Sequence, residues 1–404
     1  MPIKIWPDRL QTAFWQWGWL LPTVLPLTQL GGRALYTVLI SLYALWGLPC
    51  WWQRRDRLDR VTTALYLALL GVMLIGIPGA VNPESGLRVW AQFIAQTSTL
   101  LLMQVAVQES SANPDRLLNA LALFGALTLA GLYLLLPYYW MEMAGQPFNP
   151  SSQLQEDNLP FLLPFLLYWL WRRDDSRWRH AAMVVLTVAI MAYVVLSEGR
   201  AALLGLIVGL ALFCGTVLGW RWRWITVLAA LALVAGIAVH IEPFQKAELD
   251  PDHPLDAFST GRSVLWRQAL EHPPARPWLG VGIGNEAYAT DVLSFEIGGQ
   301  PVQVKHLHNF LLDAWYETGI LGVGLLVALI GTVLIRLARS WRRLAVNDRQ
   351  RAGILLAAAL ALLTAGLLSF SYTSRQLACY LFICLAGLSG MTRSVTADTR
   401  RDRH

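Results

Sequence analysis

The chain has 404 residues, of which 55% are hydrophobic and only 14% charged, with 19 tryptophans and a mean hydropathy of +0.45. A water-soluble fold of this size needs far more charge to cover its surface, so the composition excludes one and points to an integral membrane protein with many spans. The net charge of +6 falls in short turns beside apolar runs, which suits an anionic membrane surface and not a nucleic acid, for which no binding module is visible.

In chain order, apolar runs of about 17–25 residues predict twelve membrane-spanning helices, near 11–30, 34–52, 61–81, 89–108, 117–137, 158–171, 180–197, 201–219, 224–241, 308–335, 352–372 and 376–391. The first run is followed by Gly31, Gly32 and Arg33 rather than a small-residue cleavage site, so it is expected to stay as a span. The sixth is short and holds Pro160 and Pro164, which predicts a bent or partly re-entrant segment. Cys50, Cys214, Cys379 and Cys384 all lie in or beside apolar runs, without metal-ligand spacing, and are expected to be packing residues.

Nine of the 32 lysines and arginines lie on one side of this layout: Arg33, Arg88, Arg200, Lys246, Arg262, Arg267, Arg276, Lys305 and Arg375. The other 23 lie on the opposite side: Lys4, Arg9, Arg116, Arg221 and Arg223, with those in QRRDRLDR (53–60), RRDDSRWR (172–179), the cluster from Arg336 to Arg351 and the C-terminal tail. By the positive-inside rule both termini are cytoplasmic. One connection stands out, the stretch 242–307 on the outer side. It opens rich in proline, then offers Ser259-Thr260 as a cap for a helix through SVLWRQALEH stopped by Pro273-Pro274. A GVGIG turn (280–284) and an extended piece, LSFEIGGQPVQVKH, follow. Trp266, Trp278, Leu279, Val281, Ile283, Tyr288 and Phe295 are too many large apolar groups for a tether. The expected organisation is therefore an all-α membrane bundle over 1–241 and 308–391, a folded cap over 242–307 and a cytoplasmic tail over 392–404.

The tenth span carries the chemistry-bearing pattern. It opens with His306 and His308, then runs apolar apart from Asp313 and Glu317 in its first turns. As one continuous helix it would set Gly319 and Gly322 roughly 16–21 Å below the histidines, deep enough to let another helix pack closely. Asp313 and Glu317 share a face and are expected to pair with an outer arginine. Arg200 stands in SEGR at a tight outer turn, and Arg262 at the start of the cap helix; Arg88 and Arg375 sit at other short outer turns. Each alone reads as a snorkelling or solvated charge. Together with a histidine, several arginines suit a substrate bearing a phosphate or diphosphate, because guanidinium binds phosphate bidentately and keeps its charge. Histidine suits removal of a proton from an acceptor hydroxyl. No Asp-x-Asp pair or metal-spaced cluster appears in an outer loop, so neither a metal nor another cofactor is implied.

These motifs resemble a family. His308-Asn309, nine residues, then Gly319-Ile-Leu-Gly322 is similar to the HN-x9-GxxG signature of bacterial O-antigen ligases. SEGRAALLGL (197–206) and GRSVLWRQALEH with PWLGVGIGN (261–285) resemble the region that these ligases share with the related polymerases. The resemblance implies a GT-C-like bundle and a metal-independent, inverting glycosyltransferase of the inner membrane acting in the periplasmic leaflet. Its donor would be an undecaprenyl-diphosphate-linked glycan and its acceptor the lipid A–core oligosaccharide. Arg200 and Arg262 would hold the diphosphate, with Arg88 and Arg375 as further candidates, and His308 would activate or position the acceptor, with His306 as its competitor. An O-antigen or exopolysaccharide polymerase and a protein O-glycan ligase would use the same donor. A membrane transporter is a more distant alternative, disfavoured because no halves repeat and no charge sits deep in a span.

Overall fold

Long uncharged aliphatic runs become helices because a backbone in hydrocarbon has to satisfy its own hydrogen bonds. The computed structural model describes residues 6–30, 32–108, 114–143, 158–172, 177–196, 199–218, 262–284, 295–297, 300–302 and 306–401. Five helices among them are long and apolar enough to cross a membrane: Ala34–Arg57, Arg60–Gly79, Pro114–Leu135, Arg200–Leu218 and Phe310–Arg343. The expected ninth span (224–241), the proline-rich opening of the cap and the Ser259-Thr260 cap lie outside the described residues.

In chain order the α-helices are α1 (Asp8–Trp17), α2 (Leu20–Val24), α3 (Gly32–Trp51), α4 (Arg60–Gly76), α5 (Pro83–Thr97), α6 (Thr99–Gln108), α7 (Pro114–Met143), α8 (Leu159–Trp171), α9 (Arg177–Leu196), α10 (Arg200–Phe213), α11 (Arg262–Glu271), α12 (Phe310–Ser340), α13 (Val346–Gly366) and α14 (Phe382–Arg401). Several depart from the expected spans. The first span is two short helices and a 3-10 turn, Leu25–Gln29, because Pro22 and Pro26 interrupt the run. The fourth is broken between α5 and α6, where the hydroxyls of Thr97, Ser98 and Thr99 each donate to a carbonyl three or four residues back, at 2.6, 2.7 and 3.0 Å. Such back-bonding competes with the helix ladder and bends it. The eleventh ends at Gly366 rather than 372, and α14 continues through the expected tail to Arg401. The short α8 carries Pro164 inside and is buried from Leu159 to Tyr168, which makes it an interior helix of the bundle. All four cysteines are buried and free, as expected of packing residues.

The described residues are almost entirely helical, as expected, and the one short strand pair lies in the cap. Its α11 matches the helix read from SVLWRQALEH, but the extended piece is an antiparallel hairpin, β1 (Phe295–Ile297) with β2 (Gln300–Val302). Ile297 pairs with Gln300.

Two ends of the bundle are distinguished by chemistry. At the basic end, Asp59 caps α4 through the Thr62 amide at 2.8 Å and pairs with Arg336 from the end of α12. Asp115 takes Arg172 at 3.0 Å and Arg351 at 2.6 Å, tying the start of α7 to the end of α8 and the start of α13. Helices α4 and α12 are thus antiparallel, and the opposite end gathers the tip of α4, the start of α12, the cap turn and the end of α13. That second end holds the histidines.

Candidate active site

Asn309 begins the site. Its side-chain oxygen accepts from the amides of Leu311 and Leu312 at 3.0 and 3.2 Å, capping α12 and fixing where the helix starts. The residue before it, His308, has φ +54°, the single non-glycine with positive φ among the described residues. Such a conformation costs of order 1–3 kcal/mol and persists only where neighbours enforce it. Leu307, just before His308, is fully buried. Its amide donates to the Asp313 carboxylate at 2.7 Å, and its carbonyl accepts from the Trp266 indole of α11 at 2.8 Å. The His308 amide donates to Nδ1 of His306 at 3.2 Å, and the two imidazole rings lie 4.1 Å apart.

Arg262, the first residue of α11, donates to the carbonyl of Leu368 in the loop after α13. It lies close enough to act on both histidines. Burial lowers the pKa of His306, and the Arg262 charge lowers it further. His308 is pushed down to about 4, by burial first, then by His306 and Arg262, while a hydrogen bond to the Ser369 backbone pushes the other way. Both imidazoles are therefore neutral at physiological pH.

Arg200 comes to the same end by a different route. Helices α10 and α13 pack antiparallel through small residues: Gly205 faces the Ala361 carbonyl and Ala365, and Gly209 faces Ala361 and the Ala357 carbonyl. Continuing this register to Arg200 sets it level with residues 366–370, the loop that meets Arg262 and His308. Arg375 closes the same loop, with its guanidinium 5.0 Å above the Tyr36 ring of α3. Arg88 is not brought in: it is 76% exposed and faces Glu84 one helical turn away. An exposed pair of this kind adds little to stability.

The glycines do something other than expected. Gly319 breaks α12 with φ +65° and ψ −169°, a conformation nearly restricted to glycine. The cap turn fills the break. The amides of Ile320 and Leu321 donate to the carbonyls of Pro277 and Trp278 at 2.9 and 3.3 Å, while the amides of Val281 and Gly282 donate to the carbonyls of Tyr316 and Glu317 at 2.9 and 3.0 Å. Four backbone groups of α12 beside the break are thereby paired across it. Gly319 thus meets a loop rather than another helix, and the nearest neighbours of a Cβ on Gly322 would belong to Thr318. The turn is anchored in turn by Arg276, which donates to the Gly280 carbonyl at 3.0 Å and to the Gly79 carbonyl, beyond the tip of α4, at 2.6 Å.

As a result, one face of the first turns of α12 packs against the cap. Leu265 and Ala269 of α11 cluster with Leu307 and Tyr316, with Trp266, Val281, Leu312 and Trp315 around them. Residues 320–340 rise about 31 Å, which matches a hydrocarbon core of about 30 Å. Glu317 is buried at this junction and accepts from the Tyr372 hydroxyl at 2.7 Å and the Gly284 amide, rather than from the outer arginine expected. The contributions of Leu368, Ser369 and Tyr372 were missed by the sequence reading because the run 352–372 looks like one span. The signal was there in LSFSYTS, a Ser/Thr cluster that favours a loop.

Residues 182–327, the stretch that contains Arg200, Arg262, the cap turn, both histidines and the helix break, match the family model described as O-antigen ligase. The chain resembles the O-antigen ligases. A curated O-antigen ligase of Salmonella typhimurium is 27% identical over 202 residues, a match that covers 46% of this chain and 47% of that protein. The chain thus spans about half the length of the curated O-antigen ligase it matches. The family match and the spatial cluster coincide, since four of the sequence-selected residues (Arg200, Arg262, His306 and His308) fall inside it at one end of the bundle.

Proposed function

We propose that this protein is a glycosyltransferase that moves an O-antigen glycan from undecaprenyl diphosphate onto lipid A–core oligosaccharide at the periplasmic face of the inner membrane. The observation that carries the reading is the convergence of Arg262 and the paired histidines on the Leu368–Ser369 loop, with Arg200 level with it. We take the bundle to be GT-C-like with twelve spans and both termini cytoplasmic. The gathering of Arg172, Arg336 and Arg351 at the end opposite the histidines supports that orientation.

In the proposed reaction the acceptor hydroxyl attacks the anomeric carbon from the face opposite the leaving group. A carbon–oxygen bond forms to the acceptor as the bond to phosphate breaks, so configuration inverts. Negative charge grows on the departing undecaprenyl diphosphate, where Arg200 and Arg262 stabilise it. The hydroxyl proton passes to His308. His306 is less suited to that role, because its Nδ1 is held by the His308 amide. Donor binding prepares the base: burial is the main reason the His308 pKa is low, and phosphates beside Arg262 offset the part that the Arg262 charge adds.

The pH profile tests this coupling. A neutral imidazole is the active form, so activity falls as pH drops through its pKa. The acid limb of kcat/KM for the donor, which reports the free enzyme, is expected near pH 4. The limb of kcat, which reports the complex, should lie higher. Coincident limbs at the ordinary histidine pKa of about 6.5 would contradict the mechanism.

Arg200→Lys keeps the charge but loses the planar fork, and is expected to lower kcat/KM by roughly ten- to hundredfold. Full activity would reduce Arg200 to a snorkelling anchor. The decisive experiment is transfer by purified protein in detergent, with lipid-diphosphate glycan, lipid A–core and EDTA. Product that survives the chelator supports a metal-independent ligase. Chain extension with donor alone, and no transfer to lipid A–core, would make the protein a polymerase.

A further inference from the structure

We propose that Asp313 and Trp266 are positioning residues that clamp Leu307 from both sides and thereby hold the His308 imidazole in its working place. The inference rests on the reading that His308 carries the proton transfer. Asp313 is buried, with 1% of its surface exposed, an unusual place for a carboxylate unless a donor compensates it. Its Oδ1 receives the Leu307 amide at 2.7 Å. From the opposite side, the Trp266 indole donates to the Leu307 carbonyl at 2.8 Å. The peptide groups on either side of Leu307 are therefore fixed by two elements, the first turn of α12 and the cap helix α11. The next residue is His308, in a backbone conformation that a non-glycine rarely holds unaided. Releasing either pin frees the chain to relax toward negative φ and swings the imidazole away from Arg262.

The arrangement also explains why a carboxylate stands one turn from Glu317 on a helix face. Asp313 serves the histidine loop, whereas Glu317 serves Tyr372 and the cap turn. The clamp joins residues separated by 41 positions, Trp266 and Leu307, so the cap helix sets the histidine geometry without touching the reacting atoms.

The test compares Asp313→Ala, Asp313→Asn, Trp266→Phe and His308→Ala in purified form, reading kcat with lipid A–core and separately the affinity for undecaprenyl diphosphate. Asparagine can still accept from the Leu307 amide; alanine cannot. Asp313→Ala is expected to lower kcat about tenfold or more while leaving undecaprenyl diphosphate affinity within about twofold, and Asp313→Asn to restore kcat to within about threefold of the parent. Trp266→Phe should lower kcat in the same sense, and the double variant Asp313→Ala/Trp266→Phe should lose less than the two effects multiplied, since both act on one loop. A fully active Asp313→Ala, or a folded Asp313→Asn as impaired as the alanine variant, would overturn the proposal. If Asp313→Ala fails to assemble in membranes, Trp266→Phe decides: reduced kcat with intact diphosphate affinity supports the clamp, and unchanged kcat overturns it. An active His308→Ala would instead sink the underlying catalytic reading. An inactive His308→Ala beside a fully active Asp313→Ala would sink the clamp alone.

Discussion

His308→Ala is expected to lower glycan transfer by roughly 10²–10⁴-fold, the range that a positioned general base contributes. The protein should still assemble, because the Asn309 cap, the Leu307 clamp and the packing of α12 do not use the imidazole. Alanine is not at ease at φ +54°, so a normal thermal transition in detergent is the necessary control. His306→Ala removes an acceptor from the His308 amide and should be the milder change. Near-normal transfer by His308→Ala, with a severe defect in His306→Ala, would move the base to His306.

The second large effect is structural. Gly319→Ala should destabilise the protein by about 3 kcal/mol or more, combining a glycine-restricted backbone conformation with a clash against fixed main chain. A Cβ there would stand 2.3 Å from the Trp278 carbonyl carbon, and no side-chain rotation relieves that contact. The measurements are yield in membranes and thermal unfolding in detergent. Gly324→Ala is the control on the same helix, because a Cβ at that position meets nothing within 4 Å. Equal stability of the two variants would show that the break at Gly319 is dispensable.

Much of this arrangement was legible before any coordinates. The charge layout separates the basic end from the histidine end, and Asp59, Asp115, Arg336 and Arg351 meet where that layout puts them. Arg262 and the histidines converge as their residue types suggest. What escaped the sequence was backbone chemistry. Hydropathy sees an unbroken apolar run through Gly319, although the helix there changes partners from its own chain to the Pro277–Gly282 turn. Three adjacent hydroxyls hide the break between α5 and α6 in the same way. Asp313 and Glu317 were expected to find arginine, but Asp313 takes the nearby Leu307 amide, and Glu317 takes the Tyr372 hydroxyl and the Gly284 amide. Arg88 shares with Arg200 a place at a short outer turn but lies in no ligase-like motif, and its exposure sets it apart from the site.

The turn lodged in the break of α12 bears on how relatives of this protein can be recombined. Exchanging the outer loop between two such chains is an obvious way to transplant acceptor choice. Here the loop donates two amides to α12 and accepts two others from it, so cutting at the apparent edge of the membrane helix would put four backbone hydrogen bonds at risk, and an unpaired backbone group in hydrocarbon costs several kcal/mol. A viable crossover therefore keeps residues 276–284 and 316–321 from the same parent and places its seams elsewhere.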